Sequence, residues 1–279
     1  MGNFFRTSAL MAAMLVLFAL IGGGIYGQTG MIIAFMVAMA LNVGSYWFSD
    51  KIVLKMYKAK EVDRSDAREL YDMVDRLRMN AGLPMPKIYI VPSDQPNAFA
   101  TGRNPEHAAV AVTNGIVKLL ARDELEGVIA HELAHIKHRD ILTSTIAATL
   151  AASITLLARF GMFAGGNRDR GGFVTNLLMM ILAPLAAMMI QMAISRSREF
   201  AADKGGAEIC GHPRALASAL SRLQQGAEQI TMQANPATAH MFIVNPFAGG
   251  MRGLRTLFAT HPSTEKRIER LMALEGQRA

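Results

Sequence analysis

The residues His131-Glu132-Leu133-Ala134-His135 have the types and the spacing to do hydrolytic chemistry. On a helix, positions four apart share one face, so the two imidazoles converge on a single metal ion. Glu132 lies about 100° further round the helix. From there its carboxylate reaches a water on the metal without being a ligand itself. Two fixed ligands and an adjacent general base are what a zinc peptidase needs. Val128, Ile129, Leu133 and Ile136 give this stretch an apolar surface, and Asp123 with Glu126 three residues on predicts a capping box at its start.

A catalytic zinc usually takes three protein ligands and a water. His138 falls at the end of the same helix and turns away from the His131–His135 face, which reads as a solvated residue or a neighbour of the ligands. A third histidine at the short metzincin spacing is absent, because apolar sequence begins at Ile141. The better candidate is Arg196-Ser197-Arg198-Glu199-Phe200-Ala201-Ala202-Asp203. Glu199 and Asp203 form a carboxylate pair four apart, and one of such a pair can ligate while the other holds a ligand histidine by its second ring nitrogen. Read alone, the pair is a solvated acidic face beside Arg196 and Arg198. Its place relative to the apolar segments changes that reading.

Of the 279 residues 51% are hydrophobic, with 20 methionines. Four segments lack Asp, Glu, Lys and Arg: Ser8 to Gln28, Met31 to Ser49, Ile141 to Ala158 and Phe173 to Ser195. Each approaches or exceeds the roughly 18 to 20 residues that span a bilayer as a helix. The first is too long for a cleaved signal peptide and reads as a retained anchor. The third, diluted by Thr143, Ser144, Thr145 and Thr149, is the one that best fits a buried core helix instead. His135 precedes the third segment and Glu199 follows the fourth. A membrane hairpin returns the chain to where it left, which brings Glu199 to the histidines.

Arg6, the run Lys51, Lys55, Lys58 and Lys60, the pair Lys137 and Arg139, and the pair Arg196 and Arg198 flank the segments on one common side. The positive-inside rule puts that side in the cytoplasm. Arg159, Arg168 and Arg170 lie against it, which leaves open a second pair of segments packed partly on the soluble domain. Between the hairpins the spacing predicts a helix over 63–81, strands at Lys87 to Val91, Asn97 to Gly102 and Ala108 to Thr113, and a turn at Asn114-Gly115. Helical sequence over 196–229, a loop from about Ala234 to Gly250 and a last helix from near Pro262 follow.

The net charge of +7 is modest and scattered. It forms no nucleic-acid stripe, and an anionic membrane surface is its simpler partner. One cysteine, Cys210, rules out an internal disulfide and a multi-cysteine zinc ribbon. A membrane scaffold or channel with a structural metal site is the alternative. Transport ordinarily leaves ionisable groups inside membrane segments, and these segments have none.

The chain resembles the HtpX family of membrane-bound zinc metallopeptidases, relatives of the CAAX prenyl proteases, over nearly its full length. The resemblance rests on the N-terminal anchor pair, Asn97-Ala98-Phe99-Ala100, the His131–His135 motif, Ser195 through Asp203, and Thr260-His261-Pro262. It implies one zinc per chain on His131, His135 and Glu199, with Glu132 as base and Asp203 as support. It also implies His261 as a donor to the reaction intermediate, and the short extended run Asn97, Ala98, Phe99 and Ala100 is the candidate sheet edge on which a substrate backbone adds as a strand. The expected fold is α+β, predominantly α: a multi-pass membrane protein whose zincin-like (gluzincin) domain contains a small sheet. The expected divisions are an anchor hairpin (1–49), a first protease part (50–140), a second hairpin (141–195) and a second protease part (196–279). The resemblance further implies a stress-response enzyme of the cell inner membrane, its site facing the cytoplasm. Its partners would be unfolded or damaged membrane proteins and the lipid bilayer, with no nucleic acid.

Overall fold

A computed structural model describes residues 2–147, 196–229, 241–244 and 262–276. Most of the second expected hairpin, most of the 234–250 loop and His261 lie outside these residues.

Helix α1 (Gly2–Met56) contains two stretches long and apolar enough to cross a membrane, Thr7–Gly24 and Gly27–Phe48. They fold back on each other. Asn42 Nδ2 donates to the Met11 carbonyl at 2.9 Å, and Leu10, Met14 and Phe18 pack with Ala38. The reversal lies near Gly27, which takes a left-handed φ of +59°, a conformation open to glycine at no steric cost. Val16, Leu20, Ile32, Ile33 and Met36 remain exposed on the outside of the hairpin. Such a continuous apolar surface is what lipid covers. Residues 141–147 are also helical; Ile146 and Ala147 join the hairpin's core, and Thr143 shares a buried hydrogen bond with Thr7 at 2.9 Å.

The remaining elements are β1 (Lys60–Val62), α2 (Arg68–Ala81), β2 (Lys87–Val91), β3 (Ala98–Gly102), β4 (Ala108–Thr113), α3 (Asn114–Leu119), α4 (Arg122–Lys137), α5 (Arg196–Cys210), α6 (Pro213–Gln229) and α7 (Thr264–Gly276). The sheet runs β1-β2-β4-β3, with β2 and β4 parallel and the other pairs antiparallel. Strand β3 is therefore an edge, in register with β4 through Ala98–Val112 and Ala100–Val110. The strands' alternation sorts their side chains. Val110 and Val112 face a core with Leu77, Val128, Ile129 and Leu133. Phe99 and Ala111 face Val53 and Leu54 at the end of α1, together with Met241.

The expected strands form, and local chemistry moves several boundaries. The helix expected over 63–81 begins only at Arg68, because Asp63 Oδ1 accepts the N–H groups of Ser65 and Asp66 and holds a turn instead. Its stop at Gly82 is a left-handed cap, with Leu83 N–H bonded to the Arg78 carbonyl. Asn114-Gly115 starts helix α3 rather than closing a turn: the Thr113 hydroxyl accepts from Ile116 N–H at 3.2 Å as an N-cap. The helical stretch 196–229 breaks into two at Gly211, φ +81°, just ahead of Pro213 at the start of α6. Strand β1 was not expected; three residues carry too little periodicity to read.

Candidate metal centre

Helix α4 carries the His131–His135 motif, and both its ends are fixed by acids. Its N-cap is Ala121, whose N–H donates to Glu124 Oε2 at 2.8 Å. The expected cap at Asp123 is thus two residues late. Glu126, its expected partner, instead takes both terminal nitrogens of Arg76 at 2.7 and 2.8 Å. Glu124 is buried and also accepts from Ser218 Oγ at 2.6 Å and Arg222 Nη1 at 2.9 Å on α6. Burial pushes its carboxyl up, but these donors outweigh it and hold it below the usual value. At the other end Arg139 takes a left-handed φ of +55°. That turn brings Asp140 back beneath the helix, where both its oxygens lie 3.1 Å from His135 Nδ1.

With Nδ1 of His135 held, its Nε2 faces the Nε2 of His131 at 3.2 Å. Glu199 completes the group: Oε1 is 3.6 Å from His135 Nε2 and Oε2 is 3.9 Å from His131 Nε2. One donor atom from each of the three lies within 4.8 Å of the others. Glu199 arrives because α5 packs closely against α4, with Gly205 facing the Ala134 and His138 side chains and Gly206 facing the α4 backbone directly. A β-carbon at Gly206 would sit 2.8 Å from the nitrogen and Cα of His131.

One turn further along α5, Asp203 Oδ1 lies 3.0 Å from His131 Nδ1, in contact but off the line of the ring N–H. Arg267, from α7 and only 1% exposed, grips the same carboxylate with two bonds, Nε to Oδ2 at 2.9 Å and Nη2 to Oδ1 at 2.7 Å. Burial alone would raise the Asp203 carboxyl; Arg267 and His131 outweigh it and hold it down at about 2. The third guanidinium nitrogen, Nη1, donates to the Ile243 carbonyl at 2.9 Å.

Glu132 is buried at 6% exposure and points into the cavity that the three donors line. Its Oε2 accepts the Ala100 N–H of edge strand β3 at 2.8 Å. Burial pushes its carboxyl up. Phe99, Ile141, Met241, Phe242 and Ile243 give the cavity an apolar rim. Asn97 spends its carboxamide on that rim, with Nδ2 to the Met241 carbonyl at 3.4 Å and Oδ1 accepting from Ile243 N–H at 3.2 Å.

The donor set fits a zinc ion. Two nitrogens bound tetrahedrally at about 2.0 to 2.1 Å lie roughly 3.3 Å apart, close to the separation of the two Nε2 atoms. Charge points the same way. Glu132, Asp140, Glu199 and Asp203 surround the histidines, and Arg267 lies against Glu199 and Asp203. Burial would lower His135, yet Asp140, Glu199 and Glu132 raise it to about 10. The pocket demands positive charge.

The structure brings His131, Glu132, His135, Glu199, Asp203 and Ala100 together. His138 is exposed at the end of α4. Asn97, Ala98 and Phe99 lie along the edge, but the Asn97 side chain faces the 241–244 segment rather than open space. Sequence reasoning passed over Asp140 and Arg267. Asp140 had one weak signal, a lone acid five residues after a ligand histidine. Arg267 had none: in Glu265 to Arg270 it reads as part of a solvated charged face.

The description of peptidase family M48 matches residues 64–275. The chain is 62% identical over 275 residues to a protein named Protease HtpX homolog from Salinibacter ruber, covering 99% of each. It is 57% identical to a Protease HtpX homolog from Methylibium petroleiphilum, covering all of both chains. Among solved structures it is similar to S. mikatae Ste24p, with a TM-score of 0.51 at 20% identity. That match covers 97% of this chain but 64% of Ste24p, so the chain spans just under two thirds of that protein's length.

Proposed function

The chain belongs to peptidase family M48 and is a metalloprotease, and we propose that it is a zinc endopeptidase of the cell inner membrane acting on unfolded or damaged membrane proteins. The observation that carries the reading is the placement of Glu132: one oxygen is anchored on the Ala100 N–H, and the side chain lines the cavity shared with His131, His135 and Glu199. A structural metal would have no use for a carboxylate so placed.

One zinc, held by those three residues, would supply Lewis acidity to a water and to the scissile carbonyl. Glu132 Oε1 takes a proton from the attacking water, and the same carboxyl returns it to the departing amine, so that water is added across one amide bond. Asp140 and Asp203 keep the imidazoles turned so that both Nε2 atoms face the cavity. The substrate backbone joins β3 as an added strand, which aligns an extended chain without demanding one sequence. His261 is proposed as a further donor to the intermediate, as the family resemblance implies.

The cavity opens beside the membrane hairpin. Ile141 and Ser144 line it, and Thr143 between them is bonded to Thr7 on α1. Disordered juxtamembrane segments reach such a site; tightly folded soluble domains do not. The protein is multi-pass, with residues 50–140 and the C-terminal part in the cytoplasm. The test is cleavage of a panel of unfolded membrane proteins by the full chain in detergent, with and without chelator, beside Glu132→Gln. The variant should lose activity by about 10²-fold or more and keep its zinc. Undiminished cleavage by Glu132→Gln, or equal cleavage of buried sites in folded soluble proteins, sinks the reading.

A further inference from the structure

We propose that Arg267 is a positioning residue for the metal centre, acting through Asp203 on His131. This rests on the zinc reading above. Arg267 is the largest fully buried side chain among the described residues, and burying a guanidinium is tolerated only where its donors are matched. Every match it makes belongs to the site. Nε and Nη2 clamp the two oxygens of Asp203 side-on, and Nη1 holds the Ile243 carbonyl on the cavity rim. Nη2 and Nη1 also approach His131 Nε2 at 3.5 Å and Glu199 Oε2 at 3.7 Å.

The two-pronged grip removes the rotation that a carboxylate otherwise keeps. Asp203 must then offer Oδ1 to His131 Nδ1, and the ring turns its Nε2 toward His135 and Glu199. Asp203 alone, on a single helix, would fix its position but not its tilt. Arg267 also ties α7 to α5 through the site itself. A lysine supplies charge without the fork, so the role needs arginine's shape.

The experiment measures zinc affinity by chelator competition, and melting of the chelated protein, on the full chain in detergent. The variants are Arg267→Met, Arg267→Lys, Asp203→Asn, the Arg267→Met/Asp203→Asn double, and Leu271→Ala. Leu271 is fully buried in the hydrophobic core one turn further along the same helix, so it reports what loosening α7 does by itself. Both Arg267 variants should weaken zinc about 10- to 100-fold, the range for losing an outer partner of a ligand. Leu271→Ala should lower melting but hold zinc affinity within about twofold of wild type, well below that range. The double variant should be no weaker than Asp203→Asn, because Arg267 acts through that residue. It also removes both buried charges together, so it and Arg267→Lys carry the test if Arg267→Met, which leaves Asp203 buried and unpaired, fails to fold. Wild-type affinity in Arg267→Lys, additive losses in the double, or an equal loss in Leu271→Ala would overturn the proposal. Absence of tight zinc binding in the wild type would instead overturn the zinc reading beneath it.

Discussion

Gly206 of α5 lies against the backbone of His131 so closely that a β-carbon there would come within 2.8 Å of both its nitrogen and its Cα. The atoms in the way are main chain, which cannot swing aside. The separation of the two helices is therefore set by a missing side chain, and with it the distance from Glu199 to the imidazoles.

Gly206→Ala should force α4 and α5 apart. Overpacking of this kind costs roughly 1 to 3 kcal/mol, read as a lower melting temperature, with zinc content falling in parallel. Gly226→Ala on α6 is the contrast: its added carbon would meet Leu119 Cδ2 at 3.5 Å and Pro96 Cγ at 3.8 Å, ordinary contacts. It should gain about 0.5 to 1 kcal/mol from helix propensity. A tolerated Gly206→Ala would show that the helices have slack.

Glu199→Ala should leave the histidine pair in place but one ligand short. Metal analysis of the purified protein is expected to show reduced occupancy, and cleavage should disappear. Full occupancy with normal activity in this variant would remove Glu199 from the ligand set.

Glu124 links the start of α4 to α6, and its folded carboxyl sits below the ordinary 4.5. Its stabilising effect is thus complete above that ordinary value and is lost as pH falls through the lowered folded one. Comparing melting of the wild type with Glu124→Gln from about pH 7 to about pH 3 should show a gap that closes at the acid end. A gap independent of pH would mean the carboxylate's charge contributes nothing.

A reporter fused after Ala279 should behave as cytoplasmic, as the Lys51 to Lys60 cluster requires. A second reporter near Asn167 should appear on the far side if the segments from Ile141 and Phe173 both span. Protection of the Asn167 reporter would place those segments against the protease domain instead.

The motif helix, the three long strands and the apolar hairpin were legible in the sequence because each repeats a pattern over enough residues to set a period. The carboxylate pair at Glu199 and Asp203 was legible as two acids four apart on one helix face, and the structure sets that face against His131 and His135. Boundaries were not, because one side chain decides each: Asp63 folding over Ser65, Thr113 capping Ile116, Gly211 turning left-handed. Arg267 was hidden for a different reason. Whether an arginine is solvated or locked on a buried aspartate 64 residues away depends on how helices meet, and no local pattern records that.

Strand β3 has a second consequence. A sheet edge that accepts one extended chain is also a template on which copies of a protein stick together. Here the edge is recessed: all five residues of β3 are buried, Ala100 already gives its N–H to Glu132, and Asn97 fastens residues 241–244 alongside. A lone flexible polypeptide can thread into such a slot, whereas the broad flank of another folded molecule cannot. The recess proposed to confine cutting to loose chains thus also shields this edge from pairing with other copies of the protein.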